Sequence, residues 1–118
     1  MIDLALITGF EWDSGNARKN EKHGVTAAEA EQVFFNQPLL LLEDVKHSQG
    51  EPRFHALGLT HDKRPLHVTF TLRGDGTLIR VISARDMHRK ERAIYEQATK
   101  THSPLRVGSR GTRVLGKP

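Results

Sequence analysis

The segment Pro65–Ala84 constrains this chain most. It reads PLHVTFTLR, then GDG, then TLIRVISA, so two runs rich in β-branched and aromatic residues flank Gly74-Asp75-Gly76. Asp-Gly is a strong short-range hairpin signal, because a tight turn between twisted strands needs positive φ at its centre. With Asp75-Gly76 as a two-residue turn, Gly74 pairs with Thr77, and Leu72, Phe70 and Val68 oppose Ile79, Val81 and Ser83. That face is apolar and is expected to meet helices. The opposite face carries His67, Thr69, Thr71 and Arg73 from one strand, with Leu78, Arg80, Ile82 and Ala84 from the other. An antiparallel sheet with one covered side shows such a split, and a slip of one residue would invert it.

The remaining elements arrange themselves around this hairpin. Upstream, IDLALITGFEW suits a first strand broken near Gly9. Asp13 can cap a helix running to about Lys22, which Gly24 ends by taking positive φ. Thr26 and Glu29 spell a capping box that opens a second helix to about Phe35, with Val25 as its staple. Ala27, Ala30, Val33 and Phe34 give that helix one apolar stripe. LLLLED and RFHALGLT read as further strands, joined by the loop VKHSQGEP. A last helix runs from about Asp86 through MHRKERAIYEQA. The expected class is α+β, an antiparallel sheet packed on one face by two N-terminal helices, with a C-terminal helix after it.

Charge divides the chain unevenly. From Ala98 onward there are five Lys or Arg and no acid, which leaves 13 basic and 14 acidic residues in 1–97. The net charge of +4 therefore belongs to the tail, and basicity alone does not mark a nucleic-acid binder. Residues 1–97 read as a single domain and 98–118, rich in Gly, Ser and Pro, as a disordered basic tail. Such a tail serves as a solubilising end or as an attractor for RNA or a membrane surface. The 118 residues contain no cysteine, which removes disulfides, thiolate catalysis and Cys-based zinc sites. The longest apolar run, Leu39–Leu42, is far below membrane-spanning length. No signal peptide is read at the N-terminus, and a cytoplasmic location is expected.

Chemistry is narrowed mostly by elimination. HExxH, the P-loop, GxGxxG and GxSxG are all missing. None of the seven histidines is paired at helical i, i+4 spacing, so neither a metal nor another cofactor is expected. Arg73, Arg80 and Arg85 fall on the hairpin, and Arg89, Lys90 and Arg92 on the helix after it, against only Asp75, Asp86 and Glu91 nearby. Such an excess of guanidinium groups is expected to attract phosphates or an acidic partner. Arg53 and His55 are candidates to join this surface, but the register of their strand is not readable. Metal-free cleavage of RNA fits this composition, because the adjacent 2′-hydroxyl supplies the nucleophile. The protein then needs only proton donors and acceptors and cations around the phosphate.

The motifs, taken in order, resemble the BrnT family, toxins of bacterial type II toxin–antitoxin pairs with a RelE-like fold. The resemblance runs from about Phe10 to Glu96. It rests on FEWD (Phe10–Asp13), Asn20 with KHGV (Lys22–Val25), EAEQVFFNQP, HSQGEPRFHALG, IRVISAR (Ile79–Arg85) and RKERAIYE (Arg89–Glu96). Ser14 stands where the family often has proline, and His67 where an apolar residue is more usual.

The resemblance implies a metal-independent endoribonuclease that cuts RNA and arrests growth. It also implies a cognate antitoxin of ribbon-helix-helix type whose complex with the toxin binds promoter DNA. It places His23 and Glu51 as proton-transfer groups, acid and base interchangeable, with Arg53, Arg80 and Arg85 on the phosphate. Lys22, Arg73 and Arg89 are expected as further RNA contacts. The alternative is a non-catalytic module that docks an antitoxin-like partner and co-represses transcription. On local grounds Lys22 and His23 equally suit a helix C-terminus, where a cation gains about 0.3–1 kcal/mol.

Overall fold

A computed structural model describes residues 2–48 and 50–100, together with the backbone of 105–107 and 113–115. After a 3-10 turn at Leu4–Leu6, the elements are β1 (Gly9–Phe10), α1 (Ser14–Glu21), α2 (Ala27–Gln32), β2 (Leu39–Asp44), β3 (Arg53–Leu59), β4 (Pro65–Arg73), β5 (Leu78–Asp86), α3 (Arg89–Thr99), β6 (Leu105–Val107) and β7 (Arg113–Leu115). The class is α+β, as expected.

The sheet order is β1-β5-β4-β3-β2-β7-β6. It is mixed rather than antiparallel throughout, because β1 runs parallel to β5. The first strand is also much shorter than expected, since Leu4–Leu6 coils into a turn that Asp3 caps through the Ala5 N–H at 3.0 Å. Helix α3 extends to Thr99, and two segments of the tail form strands, β7 lying antiparallel to β2. The rest of the tail lies outside the described residues.

Two separate cores hold the two faces. On one, Val25, Ala30 and Val33 pack on Leu39, Leu41, Phe54, Val68, Phe70, Ile79, Val81 and Ala84. Phe34 meets Phe70 edge-on at 5.0 Å. Val33 sits so close to β3 that a Cβ on Gly58 would lie 2.9 Å from its Cγ1. On the other face, Leu40 and Leu57 join Met87 and Tyr95 beneath α3, and the Tyr95 hydroxyl donates to the Pro38 carbonyl at 2.6 Å. The run Leu39–Leu42 is apolar throughout because β2 is covered on both sides.

The two helix boundaries around Lys22-His23 form as their residues dictate. Gly24 has φ +70°, and Thr26 and Glu29 exchange backbone–side-chain bonds at 3.0 and 3.1 Å. Helix α1, SGNARKNE, has no apolar stripe. Its buried residues are Asn16 and Asn20, and it packs along β5. Asn16 closes a capping box with Asp13 and donates to the Glu11 and Val81 carbonyls, both at 3.0 Å, supplying a partner for a strand-edge acceptor.

In the hairpin the expected register holds from the turn to Phe70–Val81 and then changes. Thr69 pairs with Ser83, Val68 with Ala84 and His67 with Arg85, so Ile82 is an extra residue, a β-bulge. The expected pairing of Val68 with Ser83 and the placement of Ala84 on the polar face are therefore corrected. Ala84 is fully buried in the core. Continued without a bulge, the register would have set Arg85 opposite Leu66, on the apolar face.

Candidate active site

The bulge brings Arg85 onto the polar face, where the ladder aligns side chains from four strands. Direct partners share a face, so Leu40, Leu57, His67 and Arg85 form one row, and Leu42, His55, Thr69 and Ser83 the next. Asp44 and Arg53 begin a third row, and Thr71 and Arg80 lie on the same face of the hairpin.

Across these rows runs a chain of polar contacts. Asp44 Oδ2 lies 2.9 Å from His55 Nε2. His55 Nδ1 is 2.9 Å from His67 Nε2 and 3.0 Å from Thr69 Oγ1. His67 Nδ1 is 2.7 Å from Glu91 Oε2. Arg85 grips Glu91 with two bonds of 2.7 and 2.8 Å and also reaches His67 Nδ1 at 2.8 Å. Glu91 is fixed in turn by the N–H of His88 at the start of α3.

Electrostatics follow from these contacts. Burial raises the Glu91 carboxyl, but the Arg85 and His88 hydrogen bonds and the nearby positive charge outweigh it and push it down to about 2. Burial likewise opposes ionisation of Asp44, and the bonds from His47 and His55 reverse it, holding the group below the usual carboxylate range. Burial is the main influence on His67 and lowers it, with Arg85 and His55 adding to the effect against Glu91.

The residues expected from sequence fall into three sets. Arg85 lies inside this cluster. Arg80 does not. It is tied to Glu11 at 3.0 Å and Asp13 at 2.9 Å, anchoring the start of α1. Arg73 faces Glu51 at 3.4 Å, so two expected site residues are paired with each other. The expected excess of free guanidinium groups is thus corrected, because Arg73, Arg80 and Arg85 each already face a carboxylate. Arg53 on the same sheet face differs from these three: among the described residues its side chain has no hydrogen bond or ion pair, while its backbone N–H donates to Ser48 Oγ.

Lys22, His23 and Arg89 are exposed, and no described residue hydrogen-bonds to their side chains. The turn that carries Lys22 and His23 is fastened to the end of β5 through Asp86, which the ladder sets opposite Leu66 and so on the face away from the cluster. Arg64 donates to the Gly24 carbonyl at 3.0 Å and binds Asp86, the neighbour of Arg85, at 2.7 and 3.0 Å.

The central members of the chain, Asp44, His67 and Glu91, are not among the site residues expected from sequence, and His55 is there only a candidate for the polar surface. One signal bears on the register that brings Arg85 to them. In VISAR the arginine has the parity of buried Val81 and a small Ala84 that of Arg80, a conflict that only an inserted residue resolves.

No curated protein matches the chain. Residues 12–91 match the model of a family described as ribonuclease toxin, BrnT, of type II toxin–antitoxin system. The match spans α1 to the first turn of α3, about two thirds of the chain, and so contains Arg53, the histidine pair and Glu91 alike. The chain therefore belongs to the BrnT family of ribonuclease toxins of type II toxin–antitoxin systems.

Proposed function

We propose that this chain is a metal-independent endoribonuclease with a RelE-like fold that binds RNA on the polar face of its sheet and arrests growth in the cytoplasm. Family membership implies an RNA target and an antitoxin partner. The observation that carries the rest is Arg53, a guanidinium with no carboxylate partner among the described residues, on the face that also presents a histidine pair. A phosphate is its natural complement, since guanidinium matches phosphate oxygens in pairs. Arg73 and Arg89 extend the RNA path, with Lys22 a further contact. Arg80 and Arg85 reach a phosphate only by exchanging their carboxylates, so their first role is to shape the site. His23 and Glu51 are the proton-transfer groups that the family resemblance offers.

The antitoxin is proposed to be of ribbon-helix-helix type, to cover this face, and to bind promoter DNA as a complex. The pre-paired state of Arg73, Arg80 and Arg85 favours a second reading, a binding module that docks a partner and cuts nothing.

Mapping RNA 5′ ends within minutes of induction without antitoxin separates the two. New internal ends bearing 5′-hydroxyls, lost in Arg53→Ala, support the ribonuclease. Unchanged ends despite folded protein support the binding module.

A further inference from the structure

His55 and His67 sit between two carboxylates. Asp44 Oδ2 lies 2.9 Å from Nε2 of His55, and Glu91 Oε2 lies 2.7 Å from Nδ1 of His67, which Arg85 also reaches at 2.8 Å. A neutral imidazole carries one N–H, and in the tautomers that give it to the carboxylates each ring turns its lone pair toward the other. The two lone pairs meet at His55 Nδ1 and His67 Nε2, 2.9 Å apart, a separation at which one added proton makes a hydrogen bond. The rings cross at 74° with centroids 4.8 Å apart, and neither can turn away without breaking its carboxylate bond. The pair is thus arranged to take up a single proton and hold it jointly.

We propose that the His55–His67 pair is the proton-transfer centre of RNA cleavage in this chain, with His55 receiving the proton of the attacking 2′-hydroxyl. The proposal rests on the ribonuclease reading and assigns that role to residues other than His23 and Glu51. His55 is the ring that substrate meets, with 25% of its side chain exposed against 13% for His67. It lies two residues along the strand from Arg53 and points to the same side, so a phosphate on Arg53 sits beside it. Thr69 Oγ1, 3.0 Å from His55 Nδ1, already places a hydroxyl against the accepting atom.

In the reaction the 2′-oxygen–phosphorus bond forms and the phosphorus–5′-oxygen bond breaks. The 2′-hydroxyl proton passes to the His55–His67 pair, entering at the more exposed His55 ring, and returns from the pair to the departing 5′-oxygen. The products are a 2′,3′-cyclic phosphate and a 5′-hydroxyl, with no change of oxidation state.

Every ionisable neighbour of the pair has a part. Asp44 on β2 and Glu91 on α3 face the outer ring nitrogens. Arg85 on β5 competes with a proton for His67 Nδ1 at 2.8 Å, and burial lowers the His67 pKa, which favours the neutral ring. His47, 3.2 Å from Asp44, shares that carboxylate from the loop.

The test uses the purified full chain with chelator and a single-stranded RNA oligonucleotide containing all four bases. Cleavage rates from about pH 5 to 9 bracket the histidine range. The wild type is expected to lose activity on the acid side, and His55→Asn to be slower by about 10²–10⁴-fold. His67→Gln is expected to keep partial activity with a displaced acid limb. Free imidazole added to His55→Ala restores part of the rate, which repair of a purely structural defect would not do. Nitrogen-15 imidazole spectra of the wild type supply a readout independent of any variant: coupled titration of the two rings is expected, and independent titration overturns the proposal. A wild type that cleaves while His55→Asn cleaves equally well overturns the pair alone. A wild type that leaves the RNA intact overturns the ribonuclease reading and the pair with it.

Discussion

Glu91→Gln tests the electrostatic frame of the site without altering its shape. Glu91 binds Arg85 twice, touches His67 and accepts from the His88 N–H, all at 2.7–2.8 Å. Its carboxyl is pushed from an ordinary 4.5 to about 2. A folded-state value below the unfolded one stabilises the protein above the unfolded value, and that stability is lost as pH falls from about 4.5 toward 2. The full shift corresponds to about 3 kcal/mol, and water at the exposed fifth of the side chain reduces this to about 2 kcal/mol. The variant is therefore expected to melt about 8 °C lower at pH 7. Its deficit should shrink steadily below pH 4.5, because the wild type loses there what the variant never had. Thermal melts from neutral pH to pH 2 give both curves. Parallel curves for the two proteins, with a constant gap across the acid range, would refute the assignment of this charge to the site.

Other outcomes follow from single contacts. Asn16→Ala removes the side-chain oxygen that accepts from the Asp13 N–H and the Val81 carbonyl's partner, and should cost about 1–2 kcal/mol in a urea titration. Asn20 is buried and its side-chain amide has no hydrogen-bond partner among the described residues, so Asn20→Leu should raise the urea midpoint, where a buried orphan amide costs about 1–3 kcal/mol. Gly58→Ala drives a methyl into Val33 and should destabilise by about 1–3 kcal/mol, measured the same way. Arg80→Ala releases Glu11 and Asp13, so amide exchange in α1 should quicken while that in β3 and β4 stays unchanged.

What could be seen from sequence was set by how local its cause was. The caps at Asp13 and Thr26, the positive φ of Gly24 and the hairpin centre depend on neighbours within four residues, and the structure has each of them. The apolar stripe of α2 was equally plain, because Ala30 and Val33 need only a hydrophobic sheet to meet. How helix α1 packs was not legible, since it uses asparagine amides and a strand edge, which leave no hydrophobic period. The first strand was over-extended because Leu4–Leu6 has β-compatible composition, while an aspartate cap decides its shape. The site was hardest. Asp44, His55, His67 and Glu91 come from four elements, and their alignment requires the β2–β3 and β3–β4 registers together with the bulge. The pairing of Arg80 with Glu11 and Asp13 spans nearly seventy residues of chain and was invisible for the same reason.

The extra residue at Ile82 shifts the phase of β5. Between the turn and Val81 the even-numbered positions of that strand look toward the polar side; beyond Ile82 the odd-numbered ones do. Shortening the strand by that residue would restore one phase along its length, and would exchange Arg85 and Ala84 between solvent and interior in one step. Lengthening the turn by a residue would instead disturb the half nearest it. Selection can consequently tune the turn-proximal half, which anchors α1, and the far half, which carries Arg85, as separate units on one continuous strand. Any engineered library in this family member has to change its in–out alternation at Ile82, or half of its intended surface substitutions will land in the core.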